Sequence, residues 1–167
     1  MDPIAELAAA SLAFVGTHFA LSHPLRAPLV AHLGEKGFLP VYSLLAFATL
    51  GWMILAFRAA PTADLPGSGE IGWIASTLLT IPALLLFLGS LRNNPALPAP
   101  GAMAAAAREP AGVFAVTRHP MMWGFALWAL SHIVLWWSVR TLIVAAAVLV
   151  LALVGAHMQD RKKEALL

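Results

Sequence analysis

Long apolar stretches separated by more polar segments dominate this chain. Five stretches contain no Asp, Glu, Lys or Arg, and they cover residues 7–25, 38–57, 71–91, 121–137 and 142–158. An α-helix rises 1.5 Å per residue, so it needs about 17 to 25 apolar residues to cross roughly 30 Å of hydrocarbon. The pattern therefore predicts an all-α fold, a polytopic membrane helical bundle with about five transmembrane helices, in one domain over residues 1–167.

Composition agrees with a bilayer as the solvent. The chain is 60% apolar and 11% charged, whereas an ordinary soluble domain is roughly 45–50% apolar and 25% charged. The chain has no cysteine, which excludes disulfides, thiolate metal ligands and a thiol nucleophile. Its net charge is only +2, and this argues against a nucleic-acid partner. Any metal chemistry must use histidine or oxygen ligands.

If five helices cross the membrane, the Lys and Arg residues are distributed unevenly between its two sides. The first connection, the third connection and the C-terminal tail would share one side, and they carry eight of the ten Lys and Arg residues: Arg26, Lys36, Arg92, Arg108, Arg118, Arg161, Lys162 and Lys163. By the positive-inside rule, we expect the N-terminus outside and the C-terminus in the cytoplasm. We also expect an antiparallel hairpin from the last two helices, joined by residues 138–141.

Two histidines fall well inside predicted helices, where an ionisable side chain usually has a functional reason. His18 lies in the first helix, on one polar stripe with Ser11 and Ser22, and His132 lies in the fourth, on a stripe with Trp128. Two neutral imidazoles on facing helices are typical axial ligands of a b-type haem. The alternative is that both histidines only form hydrogen bonds that join helices.

A second candidate site lies where the fourth helix begins, at Thr117-Arg118-His119-Pro120. Proline suits the first position of a helix, whose free N–H groups attract anions. Arg118 and His119 would add donors there, so the segment is either an anion-binding corner or an interfacial cap. We further expect His157 to pair with Asp160, one helical turn later.

These motifs resemble those of the NnrU family. The resemblance rests on HFALSHPLR at 18–26, LGEKGF at 33–38, SLRNNP at 90–95, VTRHPMMWGFALWALSH at 116–132 and MQD at 158–160. It covers nearly the whole chain. It implies a multi-pass protein of the bacterial inner membrane that is associated with nitrite and nitric oxide metabolism in denitrification.

The NnrU family is in turn similar to zeta-carotene isomerase, a membrane haem b enzyme. That likeness implies haem b as cofactor, with His18 and His132 as metal ligands. If haem is bound, we expect Arg118 and His119, the residues of the anion-binding corner, to hold an anionic group of the cofactor. It leaves isomerase-like or redox chemistry open. The implied partners are the lipid bilayer, a small hydrophobic substrate or a nitrogen oxide, and a membrane partner protein.

Two other functions remain open at the level of sequence. One is a non-enzymatic accessory or transport subunit without a cofactor. The other is a membrane methyltransferase, because an Arg-His-Pro that enters a helix also occurs in enzymes of the isoprenylcysteine type. Those enzymes continue with a C-terminal motif that bears Glu and Tyr, and this chain ends without it at Arg161-Lys-Lys-Glu-Ala-Leu-Leu167.

Overall fold

The computed structural model describes residues 2–62, 68–92, 94 and 109–164, with side chains as far as residue 161. The predicted loop residues 95–108, with Arg108, and the side chains of Lys162 and Lys163 lie outside this set. All the described elements are helices, which confirms the all-α prediction. They are α1 (Pro3–Ser22), α2 (Arg26–Ala59), α3 (Gly69–Gly89), α4 (Val113–Val116), α5 (Pro120–Leu135) and α6 (Val139–Glu164).

Four of these helices are long and apolar enough to cross a membrane. They are α1, α2, α3 and the part of α6 that covers Val139–Arg161. Large apolar side chains are exposed along them, for example Ile71 at 81% and Leu44 at 71%, and such surfaces suit lipid rather than water. The protein is therefore a membrane protein with several spanning helices.

The fourth predicted span is shorter than we expected. Helix α5 has 16 residues, which at 1.5 Å per residue gives about 24 Å, less than the roughly 30 Å of the hydrocarbon layer. Apolar residues 136 and 137 follow it but are not helical. Of the five predicted spans, four are therefore long and apolar enough to cross a membrane, and α5 is a shorter apolar helix. The side of the membrane on which each terminus lies stays a prediction.

The first connection is helical, although we expected a loop there. Helix α2 begins at Arg26 and continues through a kink at Gly34, whose φ of 68° and ψ of 165° are not helical. Pro28 is tolerated because it lies in the first turn, where its missing N–H has no helical partner in any case. The charged segment is therefore the start of α2 and not a loop between α1 and α2.

The link between α5 and α6 is also tighter than predicted. Ser138 accepts a hydrogen bond of 3.2 Å from the backbone N–H of Thr141, and its hydroxyl lies 2.8 Å from the Thr141 hydroxyl. This is N-cap geometry, in which a serine satisfies a free N–H of the first turn. The predicted connection 138–141 is therefore mostly the first turn of α6.

The chain divides into two compact units. The first comprises Met1–Gly67 and Trp136–Leu151. Its core is a cluster of buried residues from α1, α2 and the C-cap of α2: Leu7, Ala10, Met53, Ala56 and Ala60. Ile143 and Val144 of α6 pack against this cluster. Alanines in this cluster allow helix backbones to approach closely, as is common in membrane helix packing.

The second unit comprises Ser68–Leu135 and Ala152–Leu167. Its main contact joins α3 to α5 at Gly124, where an added Cβ would lie 3.0 Å from both the Ala83 carbonyl oxygen and the Phe87 backbone nitrogen. Glycine is thus required for this approach of two backbones. At the end of α3, Gly89 leaves room for the Val113 side chain of α4, which lies where a Cβ on residue 89 would be.

Candidate functional site

His18 lies in the first unit, with its ring anchored to its own helix. Its Nδ1 is 2.7 Å from the Phe14 carbonyl oxygen, and the Phe14 ring lies 4.4 Å away between centroids. Because a carbonyl only accepts, Nδ1 must carry the hydrogen. In the neutral ring, Nε2 then holds the lone pair, and no residue that the structure describes hydrogen-bonds to it.

His132 lies in the second unit, with a closely similar environment. Its Nδ1 is 2.8 Å from the Trp128 carbonyl oxygen and 3.3 Å from the Ser131 hydroxyl. The Trp128 ring lies 4.2 Å from the imidazole between centroids. Here too Nδ1 donates, so Nε2 of the neutral ring holds the lone pair and has no hydrogen-bond partner among the described side chains.

The two histidines therefore share one local design. In both, Nδ1 donates to the carbonyl four residues earlier, and the aromatic ring of that earlier residue packs beside the imidazole. A histidine whose Nδ1–H is held by a carbonyl, with Nε2 left as the electron donor, is the usual form of a metal ligand. The sequence indicates these two histidines because they lie well inside predicted helices. The structure adds that Nδ1 is hydrogen-bonded in both rings and that Nε2 is the nitrogen left as electron donor.

No group of three or more His, Cys, Asp or Glu side chains that could hold a metal ion occurs within residues 2–62, 68–92, 94 and 109–161. A site built by protein ligands alone is therefore not seen in that part of the chain. A porphyrin supplies four ligands of its own, so haem iron needs only one or two protein side chains. His18 and His132 remain predicted ligands, each described within its own unit.

The predicted anion-binding corner contains an internal hydrogen bond between a histidine and a carboxylate. The Nε2–H of His119 donates to Oδ1 of Asp160 at 2.9 Å, and the His119 side chain is only 9% exposed. Arg118 approaches the same carboxylate oxygen at 4.0 Å, but its side chain is 81% exposed. Arg118 and His119 thus lie together at the start of α5, with His119 engaged within the protein and Arg118 open to its surroundings.

Asp160 makes a contact that its position in the sequence does not predict. We expected it to pair with His157, but His157 is exposed and no hydrogen bond joins the two side chains among the described residues. Asp160 instead contacts His119, 41 positions earlier. This contact requires the end of α6 to lie beside the start of α5, and the packing of the two helices as a hairpin stays a prediction.

Comparison with known proteins gives one match. The family model described as NnrU protein matches residues 6–166. No curated protein and no solved structure matches the chain. The match extends over α1 to α6 and includes both histidines, the start of α5 and Asp160.

Proposed function

The chain belongs to the NnrU family, and on that basis we propose that it binds haem b in the membrane, with Nε2 of His18 and Nε2 of His132 as the atoms that would hold the iron. The observation that carries the proposal is the shared orientation of the two imidazoles. Each Nδ1 is held by a carbonyl, at 2.7 Å for His18 and 2.8 Å for His132. Each ring therefore offers the nitrogen that haem iron takes.

The surroundings of the two rings also suit a porphyrin. Phe14 and Trp128, the residues beside the imidazoles, are aromatic, and an apolar environment holds a large flat macrocycle while it excludes water. Both histidines are half-buried, so neither ring is enclosed on all sides by its own unit. The chain supplies no cysteine, and histidine is the best remaining nitrogen ligand for iron.

Arg118 has a distinct part in this proposal. Its exposed guanidinium suits an anionic group such as a carboxylate of the cofactor. His119 does not need to contact that group, because its Nε2–H already donates to Asp160. The pair instead fixes the start of α5, the helix that carries His132.

Bound haem would supply a one-electron redox centre. The family's association with nitrite and nitric oxide metabolism then makes denitrification the expected context, with a nitrogen oxide or a small hydrophobic molecule as the substrate class. The chain's own residues bind and orient the cofactor, and their apolar surroundings keep water away from it. Isomerase-like chemistry is the alternative activity for the same cofactor.

The test is an absorption spectrum of the full chain, purified in detergent from cells supplied with excess haem precursor. We expect a Soret band and, after reduction, a sharp α-band. His18→Ala and His132→Ala should each abolish or shift these bands. His32→Ala is the matched control, because His32 is exposed on α2 and should leave the spectrum unchanged.

A colourless protein with a helical circular dichroism spectrum would overturn the proposal. That result would support the second function, an accessory or transport subunit of the membrane in which the two histidines only stabilise helices. A spectrum that survives both histidine substitutions would also contradict the assignment of ligands, even if haem is bound.

A further inference from the structure

Tyr42 is the only tyrosine of the chain, and it lies against His18. It belongs to α2, and its ring meets the imidazole edge-on, with 5.7 Å between centroids and 77° between planes. This T-shaped arrangement is the favoured geometry for a pair of aromatic rings. It is also the ring contact that reaches His18 from another helix, since Phe14 belongs to α1.

The other side of Tyr42 is supported by a series of contacts that leads to the kink of α2. Tyr42 packs on Phe38 with 5.9 Å between centroids, and Phe38 is 4% exposed. The Arg26 guanidinium lies 5.6 Å from the centre of the Phe38 ring. Arg26 also forms an ion pair of 3.2 Å with Glu35, just beyond the kink. The Tyr42 ring is therefore held from behind by a buried residue.

We propose that Tyr42 is a positioning residue that holds the imidazole of His18 in its orientation. The hydrogen bond from Nδ1 fixes one atom of the ring, but the ring still rotates about that anchor within the tolerance of a hydrogen bond. Phe14 restrains it from α1, and Tyr42 restrains it from α2. These two ring contacts, from different helices, fix the plane of the imidazole and therefore the direction in which Nε2 points.

This role extends the proposed function, because the direction of Nε2 matters most if that atom ligates iron. Orientation of a ligand by its neighbours is a common determinant of ligand strength in metal sites. The contact itself exists without any cofactor, however. It is therefore measurable in protein that contains no haem, independently of whether haem binding occurs.

The first experiment uses haem-free protein in which histidine is labelled with nitrogen-15, in lipid nanodiscs. The variants are Tyr42→Leu, Tyr42→Phe and, as a matched control, Phe47→Leu, which removes an aromatic ring from α2 where it is 72% exposed. We expect His18 to give one tautomer, with the proton on Nδ1, in the wild type, in Tyr42→Phe and in Phe47→Leu. Tyr42→Leu should give mixed tautomers or a broadened His18 signal.

The His132 signal reports on folding in each of these samples, since His132 lies in the other unit. Unchanged His18 signals in Tyr42→Leu would overturn the proposal. If Tyr42→Leu does not fold, Tyr42→Met, whose side chain is longer and flexible, decides the question by the same criterion.

The second experiment repeats the series after addition of haemin. We expect Tyr42→Leu to lose haem roughly 2- to 10-fold faster than Phe47→Leu, which is the size expected for one aromatic pair, and Tyr42→Phe to behave as the wild type. A wild type that shows no Soret band would overturn haem binding, while the haem-free result would still decide the role of Tyr42. Equal rates of haem loss in Tyr42→Leu and Phe47→Leu would count against the proposal.

Discussion

His119 and Asp160 are 41 positions apart, yet their side chains share a hydrogen bond of 2.9 Å. The imidazole is nearly buried and the carboxylate is 29% exposed. The bond fastens the end of α6 to the start of α5, the helix that carries His132. It links the Arg-His-Pro motif directly to the Met-Gln-Asp motif, which the sequence shows only as two separate segments.

We expect removal of this carboxylate to destabilise the second unit. Asp160→Ala should lower the free energy of unfolding by about 1–3 kcal/mol, the cost of leaving a buried donor without its charged acceptor. Asp160→Asn should cost less, because its amide oxygen still accepts from His119. Denaturant unfolding in detergent, followed by tryptophan fluorescence, measures the change. Glu70→Gln, an exposed acid on α3, should change it by less than about 0.5 kcal/mol, and equal effects would contradict the assignment.

Gly124 offers a second test, of the contact between α3 and α5. A methyl group there would lie 3.0 Å from two backbone atoms of α3, and backbone moves less easily than a side chain. Gly124→Ala should therefore destabilise the protein by about 1–3 kcal/mol, the range for overpacked sites. Gly51→Ala is the control, because no atom lies within 4 Å of its added Cβ. It should be neutral or stabilising by up to about 1 kcal/mol, and thermal unfolding of both variants decides between these outcomes.

Arg140 closes the first unit at the end of α2. Its Nη1 donates to the Ala60 carbonyl at 3.3 Å, and its guanidinium lies 4.7 Å from the centre of the Phe57 ring. We expect Arg140→Leu to cost about 1–2 kcal/mol of stability, from the lost hydrogen bond and cation–π contact. The loss stays at this lower end because Nε is buried with no hydrogen-bond partner among the described residues. Arg58→Leu, on the exposed face of α2, should have little effect in the same unfolding measurement.

Gly34 allows a test of what holds the kink in α2. Its φ of 68° with ψ of 165° is a conformation that essentially only glycine adopts, so Gly34→Ala should cost about 1–3 kcal/mol. The Arg26–Glu35 ion pair beside it is 39% and 60% exposed, and exposed pairs contribute less than about 1 kcal/mol. Glu35→Gln should therefore be milder than Gly34→Ala in chemical unfolding. The reverse order would show that the ion pair, and not the backbone, determines the kink.

The helices were predictable because each apolar stretch is a local signal. What the sequence did not reveal was where helical backbone continues beyond the apolar residues. Residues 26–37 are polar enough to end a predicted span, yet α2 begins at Arg26, because a helix satisfies its backbone hydrogen bonds in water as well as in lipid. The reverse occurs at the end of α5, where Trp136 and Trp137 are apolar but lie outside the helix.

The candidate histidines were predictable for a similar reason. His18 and His132 stand in uncharged stretches, and the carbonyl that anchors each ring lies only four residues earlier. The partners of Asp160 and Tyr42 were not predictable. Each contact involves a residue of another helix. Consecutive residues of a helix point about 100° apart, so one hydropathy pattern is consistent with many different pairs of facing residues.

The sequence by itself therefore determined that this is an all-helical membrane protein of the NnrU family, and which two histidines lie inside apolar segments. These properties follow from composition, from runs of residues and from local motifs. Only the tertiary structure decided that His119 bonds to Asp160 and that the Tyr42 ring lies against His18. Those contacts join residues of different helices, and they depend on how the helices pack together, which no single segment encodes.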